Sequence, residues 1–143
     1  SPSWYGFIAS QLVLGNNLLF STTPLSSMFI PGSSGSKSAL DKHHIFPKKH
    51  LANLGIEKDR DRNQTANFTF LDYNTNIHIT DRPPHDYADE YINKLGQDEY
   101  EKSCAQNALP VDFHALEYFD FLEKRRLLMA GIIRKAYETL RNS

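Results

Sequence analysis

The longest regular pattern in the chain is a helical spacing of apolar side chains in its last third. It predicts one long helix from an N-cap at Asp112 to about Leu140, because residues three and four positions apart lie on one face of a helix. The stripe that defines this face comprises Phe113, Leu116, Phe119, Leu122, Met129, Ile132, Ile133, Ala136 and Leu140. We interpret the stripe as hydrophobic core and not as a cofactor site, which makes the predicted fold mostly helical.

Two shorter segments favour strands, and most of the remaining chain favours helices. "HHIFP" and "ANFTFLDY" carry the aromatic and β-branched residues typical of strands, although Pro47 ends the first one or confines it to an edge. "PPHDYADEYINKLG" begins with proline and ends with glycine, the polarity expected of a helix. The other predicted helices are "SWYGFIASQLVL", "LSSMF", "KKHLANLGI", "NTNIHITD" and "DEYEKSCAQNAL". "PGSSGSKS" at 31–38 is predicted to be a mobile connector, and "EKDRDRNQ" a charged loop.

Length and composition place the chain among single-domain globular proteins. Its 143 residues match the commonest domain size, and its 12% aromatic content argues for a folded core and against disorder. No apolar run approaches the roughly 18 residues that a membrane span needs. The N-terminal apolar segment lacks a basic start, so we expect no signal peptide and a cytoplasmic location. Cys104 is the single cysteine, which excludes a disulfide framework and a cysteine-rich zinc site.

Charge is distributed unevenly along a chain whose net charge is only -1. Residues 41–62 hold six basic and four acidic side chains, a sum of +2, whereas residues 63–111 hold three and eight, a sum of -5. A surface for a polyanion is therefore expected to be local. Its candidate members are Lys42, Lys48, Lys49, Lys124, Arg125 and Arg126. The alternative interpretation of each is an ordinary solvated side chain.

The adjacent histidines His43 and His44, in "ALDKHHIFPKKHL", are the strongest candidates for chemistry. Asn67 follows His44 after 22 residues, and Asn76 follows Asn67 after eight, on a predicted strand, loop, strand and short helix. Imidazole titrates near neutrality and can take a proton from water at working pH. The alternative is a histidine pair at a strand end whose hydrogen bonds are ordinary structural ones.

This constellation resembles the HNH nuclease motif, with Asn76 in place of the last histidine. "KHHIFPKKHL" and "NQTANFTFLDYNTNIHITDRPPHDY" resemble the C-terminal HNH domain of GmrSD-type restriction proteins, the type IV, modification-dependent class. The resemblance covers roughly residues 4 to 90. It implies an α+β fold, a mostly helical domain with an embedded ββα-metal motif. We expect one domain over 1–143, with N-terminal helices at 1–30, the ββα-metal motif at 41–82 and C-terminal helices at 83–143.

The resemblance also implies roles for the four site residues. His44 is the expected general base, and Asn67 supports it by holding the connecting loop and the His44 backbone in register. His43 and Asn76 are the expected ligands of one divalent ion, with Mg²⁺ favoured and Mn²⁺, Ni²⁺ or Zn²⁺ as alternatives. Side chains of successive strand residues point opposite ways, which also favours different roles for the two histidines.

Residues that follow the histidine pair are expected to contact DNA. Lys48, Lys49 and His50 are the predicted DNA-binding residues, because they lie directly after the predicted catalytic strand. The remaining histidines are His78, His85 and His114. We do not expect any of them to bind metal, and His78 is expected to point away from the site.

The predicted function is a metal-dependent endonuclease that nicks or cleaves DNA in antiviral defence. The resemblance implies that its DNA includes modified phage DNA, and that a nucleotide-hydrolysing specificity module precedes it in a longer protein. The chain itself contains no P-loop motif. The main alternative is a catalytically silent, HNH-derived module for DNA binding or assembly of a restriction complex. A secreted non-specific nuclease is disfavoured by the near-neutral charge, because such binding relies on many phosphate contacts.

Overall fold

The computed structural model of the protein describes residues 2–30 and 41–143. The predicted connector at 31–38 lies outside the described residues. The described part is mostly helical, with one antiparallel sheet of two short strands, so the α+β prediction is confirmed at that level. No helix in residues 2–30 and 41–143 is both long and apolar enough to cross a membrane.

Seven α-helices and two strands make up the described chain. The helices are α1 (Pro2–Val13), α2 (Lys48–Asn53), α3 (Asp59–Arg62), α4 (Tyr73–Ile79), α5 (Pro84–Leu95), α6 (Gln97–Gln106) and α7 (Tyr118–Arg141). The strands are β1 (His43–His44) and β2 (Phe68–Thr69). Short 3-10 helices cover Leu25–Phe29, Thr65–Asn67 and Phe113–Ala115. The segment "EKDRDRNQ", predicted to be a loop, contains the single turn α3.

Both strands are shorter than the sequence predicts. His43 pairs with Thr69 and His44 with Phe68, and the regular ladder ends there. The next backbone amide after Ile45, that of Phe46, donates to the side chain of Asn67 instead of to a strand carbonyl. A side-chain acceptor thus replaces the ladder, which ends β1 before Pro47.

The last helix starts five residues later than predicted. Asp112 precedes a 3-10 turn, the backbone is extended at Leu116, and α7 begins at Tyr118 after Glu117. Phe113 is fully buried and its ring lies 6.4 Å from that of Phe121, so packing sets the chain direction here. The predicted N-cap at Asp112 is therefore wrong for this helix.

The predicted apolar stripe of α7 is right in part. Phe119, Ile133 and Leu140 are exposed, because they lie to the side of the buried face. The buried positions of α7 are Tyr118, Phe121, Leu122, Arg125, Met129, Ile132 and Ala136. Their three- and four-residue spacing is that of one helix face. This face packs along α1 and includes an arginine that the apolar pattern did not predict.

The sheet rests on this helical core through aromatic side chains. Phe46, two residues after β1, packs its ring 4.6 Å from Phe121 of α7. Phe70, directly after β2, packs its ring 5.4 Å from Trp4 of α1. Burying a large apolar side chain is worth about 1.5–3 kcal/mol, so these contacts fix both strands to the helices.

Helix α4 is held in position next to the sheet by its ends. The Asp72 side chain accepts a hydrogen bond of 2.7 Å from the Thr75 amide, a regular N-cap. The helix ends at Thr80, whose φ of 47° is left-handed, and α5 begins with Pro84 at its first position. The prediction of a helix from the proline pair to Gly96 is confirmed, since Gly96 has a φ of 84° and ends α5.

Candidate active site

A cavity of about 290 Å³ lies between β1, the start of α2 and the end of α4. His43, His44 and Asn76 line it together, and Lys48 and Lys49 lie at the same cavity. The fold therefore brings together residues that are up to 33 positions apart in the chain. The other two predicted site residues, Asn67 and His50, are not among the residues that line it.

His44 is half-buried, and contacts on two sides fix its ring. Its Nε2 lies 2.7 Å from Oδ1 of Asn63, and its ring centroid lies 4.7 Å from that of Phe68. Burial lowers the pKa of His44, an effect that the Asn63 hydrogen bond opposes and that nearby Lys48 and Arg62 reinforce. The ring is therefore neutral at pH 7.

His43 has a buried ring nitrogen without a hydrogen-bond partner in the part of the chain that the structure describes. Its Nε2 is buried and accepts or donates no hydrogen bond within residues 2–30 and 41–143. Burial lowers the pKa of His43, the charge of Asp41 opposes this, and His44 adds to it. A buried polar atom without a partner is uncommon in folded proteins and calls for an explanation such as a bound ion.

The donor atoms fit a divalent ion of the expected kind. A neutral imidazole nitrogen of His43 and the amide oxygen of Asn76 are both accepted metal ligands. Asn76 is half-buried in α4, where its backbone amide donates to the Asp72 carbonyl at 2.9 Å. Within the described ranges there is no group of three or more His, Cys, Asp or Glu side chains suited to a metal. An ion bound here would have these two protein ligands and would complete its shell with water and phosphate.

Asn67 is completely buried and bonds to the chain just after the histidine pair. Its Oδ1 accepts from the Phe46 amide at 2.8 Å, and its Nδ2 donates to the Phe46 carbonyl at 3.1 Å. The same Nδ2 donates to the Arg62 carbonyl at 3.1 Å. The backbone carbonyl of Asn67 accepts from the Ile45 amide at 2.8 Å. One residue thus connects β1, the charged segment 59–63 and β2.

The predicted DNA-binding residues lie at the surface around the cavity. Lys48 is 3.9 Å from Asp59, and Lys49 is 3.6 Å from Asp81. Exposed ion pairs of this length contribute about 1 kcal/mol or less, so phosphate could displace these carboxylates. His50 lies farther along α2, with its ring 6.0 Å from that of His85.

The polyanion surface is smaller than the sequence predicts, because Arg125 is buried. Only 1% of Arg125 is exposed, and its guanidinium donates to the carbonyls of Ala66, Phe68 and Asn107. The prediction that Arg125 belongs to that surface is therefore wrong, because Arg125 occupies a core position of α7. Lys124 and Arg126, its neighbours, are exposed.

Sequence reasoning also missed Asn63. It lies in a segment of alternating charges, and neither its spacing nor its neighbours distinguish it from a solvated polar residue. His78, by contrast, lines a separate cavity with Asp72 and Tyr91, on the other side of α4. This position agrees with the expectation that His78 points away from the histidine pair.

Comparison of the chain with protein-family models, with curated proteins and with solved structures yields no match. The functional assignment therefore rests on the residues and the geometry described above. The central observation is that two histidines and an asparagine line one cavity, with lysines at its rim.

Proposed function

We propose that the protein is a metal-dependent HNH endonuclease that nicks or cleaves DNA, with residues 41–82 as its ββα-metal motif. The observation that carries the proposal concerns His43: its buried Nε2 has no partner among the described residues, and the residue lines the same cavity as His44 and Asn76. The antiparallel strands β1 and β2 followed by α4 agree with the order of elements in such a motif.

His44 is the general base in this proposal. Because burial lowers its pKa, the imidazole is neutral near pH 7 and can accept a proton from the attacking water. Asn67 supports this role by holding the backbone of Phe46, two residues after His44, with both polar atoms of its amide. His43 and Asn76 would hold the ion. When bound, a divalent ion relieves charge on the phosphoryl oxygens and on the leaving oxygen.

Lys48 and Lys49 bind DNA phosphates in this proposal, with His50 beyond them on α2. Both lysine side chains are exposed and lie beside the cavity that holds the histidine pair. A phosphodiester placed between them and His44 would be cut to leave 5′-phosphate and 3′-hydroxyl ends. The small number of basic groups fits a domain that relies on another module for its target.

The proposed setting is antiviral restriction in the cytoplasm, against DNA that includes modified phage DNA. A nucleotide-hydrolysing specificity module in a longer protein would select the target. A catalytically silent module for DNA binding or assembly is the second candidate, and metal binding together with cleavage distinguishes the two.

The test is a cleavage assay with supercoiled plasmid and with phage DNA that carries modified bases. Each substrate is incubated with Mg²⁺, Mn²⁺ or Ni²⁺, and parallel samples contain EDTA. We expect metal-dependent nicking that falls about 10²- to 10⁴-fold in His44→Ala, the usual contribution of a general base. His78→Ala is the matched control, since this histidine lines the other cavity. Metal binding without any cutting would favour the silent module, and cutting unaffected by His44→Ala would contradict the proposed base.

A further inference from the structure

We infer that Asn63 is a positioning residue for His44: its side-chain oxygen holds the imidazole with Nε2 protonated and leaves Nδ1 as the proton acceptor. The inference deepens the proposed function and rests on it in one respect, because it assumes that His44 is the base. Asn63 is not among the residues that the HNH resemblance singles out.

The hydrogen-bond geometry carries the assignment. Oδ1 of an asparagine can only accept, so the 2.7 Å contact requires Nε2 of His44 to donate. A neutral imidazole has one N–H, and Nδ1 then bears the lone pair. Asn63 is not among the residues that line the cavity that His44 lines.

The backbone of Asn63 is held in place although its side chain is exposed. Its amide donates to the Asp59 carbonyl at 2.8 Å, which closes the turn α3. The preceding residue, Arg62, has its carbonyl bonded by the buried Nδ2 of Asn67. Tyr118 of α7 donates its hydroxyl to the carbonyl of Asp61 at 2.6 Å, with Arg62 at 3.3 Å.

These contacts connect the helical core to the candidate base. Segment 59–63 is bonded to α7 and to Asn67, and Asn63 extends from it to His44. The ring of Phe68 also packs against the imidazole, with 4.7 Å between the ring centroids. The ring of His44 therefore contacts both a hydrogen-bond acceptor and an aromatic ring. Such arrangement of a functional histidine by a hydrogen bond to its other nitrogen is a general way to select its tautomer.

The first arm of the test needs no catalysis. Metal-free protein labelled with ¹⁵N-histidine is studied by NMR at mildly alkaline pH, where imidazole is neutral. We expect a slowly exchanging proton on Nε2 of His44 and a pyridine-type shift for Nδ1. Asn63→Leu should speed the exchange of that proton and mix the tautomers, whereas Asn63→Asp should preserve both features because a carboxylate also accepts.

Gln64→Ala is the matched control, because its side chain bonds to Arg60 and Arg126 and not to His44. It should leave the His44 signals unchanged. The inference would be overturned if the wild-type protein carries the imidazole proton of His44 on Nδ1, as expected if the Asn63 amide were rotated. A His44 spectrum that Asn63→Leu does not alter would overturn it as well.

The second arm measures nicking at one pH with the same variants. Asn63→Leu should lower kcat roughly 10- to 100-fold, with KM within about twofold, and Asn63→Asp should restore most of the loss. Cutting with an unchanged kcat in Asn63→Leu would overturn the positioning role alone. Wild-type protein that shows the expected NMR pattern but cuts no DNA would overturn the proposed function alone.

Discussion

The side chain of Asn67 forms two hydrogen bonds with the backbone of Phe46. Its Oδ1 accepts from the Phe46 N–H at 2.8 Å, and its Nδ2 donates to the Phe46 carbonyl at 3.1 Å. The two residues are 21 positions apart, and both are buried. These two hydrogen bonds resemble the pair of backbone hydrogen bonds that two facing residues exchange in an antiparallel sheet. They therefore extend the contact of the β1 segment beyond the last regular pair of the sheet.

Asn67→Ala should lower the free energy of unfolding by about 2–4 kcal/mol. The substitution leaves the Phe46 amide and carbonyl without partners and leaves the Arg62 carbonyl with only the 3.3 Å bond from Tyr118. Each unsatisfied buried group costs about 1–3 kcal/mol, in part offset by water. Urea denaturation measures the loss. Asn74→Ala, on the exposed side of α4, is the control and should change stability by less than about 0.5 kcal/mol. Equal effects of the two variants would contradict the account.

Arg125→Lys should destabilise the fold by roughly 2 kcal/mol, although it keeps the charge. The guanidinium of Arg125 reaches three carbonyls, on Ala66, Phe68 and Asn107, and one ammonium group cannot reproduce this planar fork. Thermal and urea unfolding give the comparison. Arg126→Lys, the same change at the next and exposed position, should be nearly neutral. Tolerance of Lys at position 125 would show that charge alone matters there.

Tyr118→Phe should loosen segment 59–63 and cost about 1 kcal/mol, since it removes the hydroxyl that donates to the Asp61 carbonyl. Its effect on His44 is the sharper readout: proton exchange at Nε2 should become faster, because Asn63 is then held less firmly. Tyr137→Phe is the control on the same helix, where the side chain is exposed. If the exchange rate of the His44 Nε2 proton is unchanged in Tyr118→Phe, α7 does not help to hold Asn63 in place.

Metal affinity should fall at least about 10-fold in His43→Ala and in Asn76→Ala. Each variant removes one of the two proposed protein ligands, and an ion held by few ligands depends strongly on each. Isothermal calorimetry with Mn²⁺ measures the change. His78→Ala keeps both ligands and should bind as the wild type does. Wild-type affinity in all three variants would place the ion elsewhere.

Cys104 should be inert to thiol reagents in the folded protein and should make stability fall at alkaline pH. Burial raises its pKa to about 12, an effect that the Tyr100 hydrogen bond partly opposes. The thiol of the unfolded protein ionises near about pH 8.5, so burial of the neutral thiol costs no stability below that pH. As the pH rises from there toward 12, the free energy of unfolding falls, because the unfolded thiol loses its proton and the folded one keeps it. Between about pH 8 and pH 10, the wild type should lose up to roughly 2 kcal/mol more than Cys104→Ala. Equal losses, or rapid labelling of the folded thiol, would contradict the burial of Cys104.

Local chemistry made several elements predictable. The proline pair and Gly96 delimit α5 because proline suits a helix start and glycine adopts the left-handed backbone after its end. The order of strand, loop, strand and short helix around the histidine pair was also predictable from residue types. These features depend on neighbours within a few positions, which the sequence displays directly.

The surroundings of the candidate site depended on partners far away in the chain. Lys124, Arg125 and Arg126 look alike in the sequence, yet only Arg125 is buried, because α7 turns that position toward carbonyls up to 59 residues away. Asn63 looks like one more polar residue in a charged segment until Tyr118 and Asn67 fix that segment beside His44. The sequence by itself determined which residues are able to do chemistry and where most helices form. The tertiary structure decided which polar groups meet, because hydrogen-bond partners are chosen by packing between distant segments.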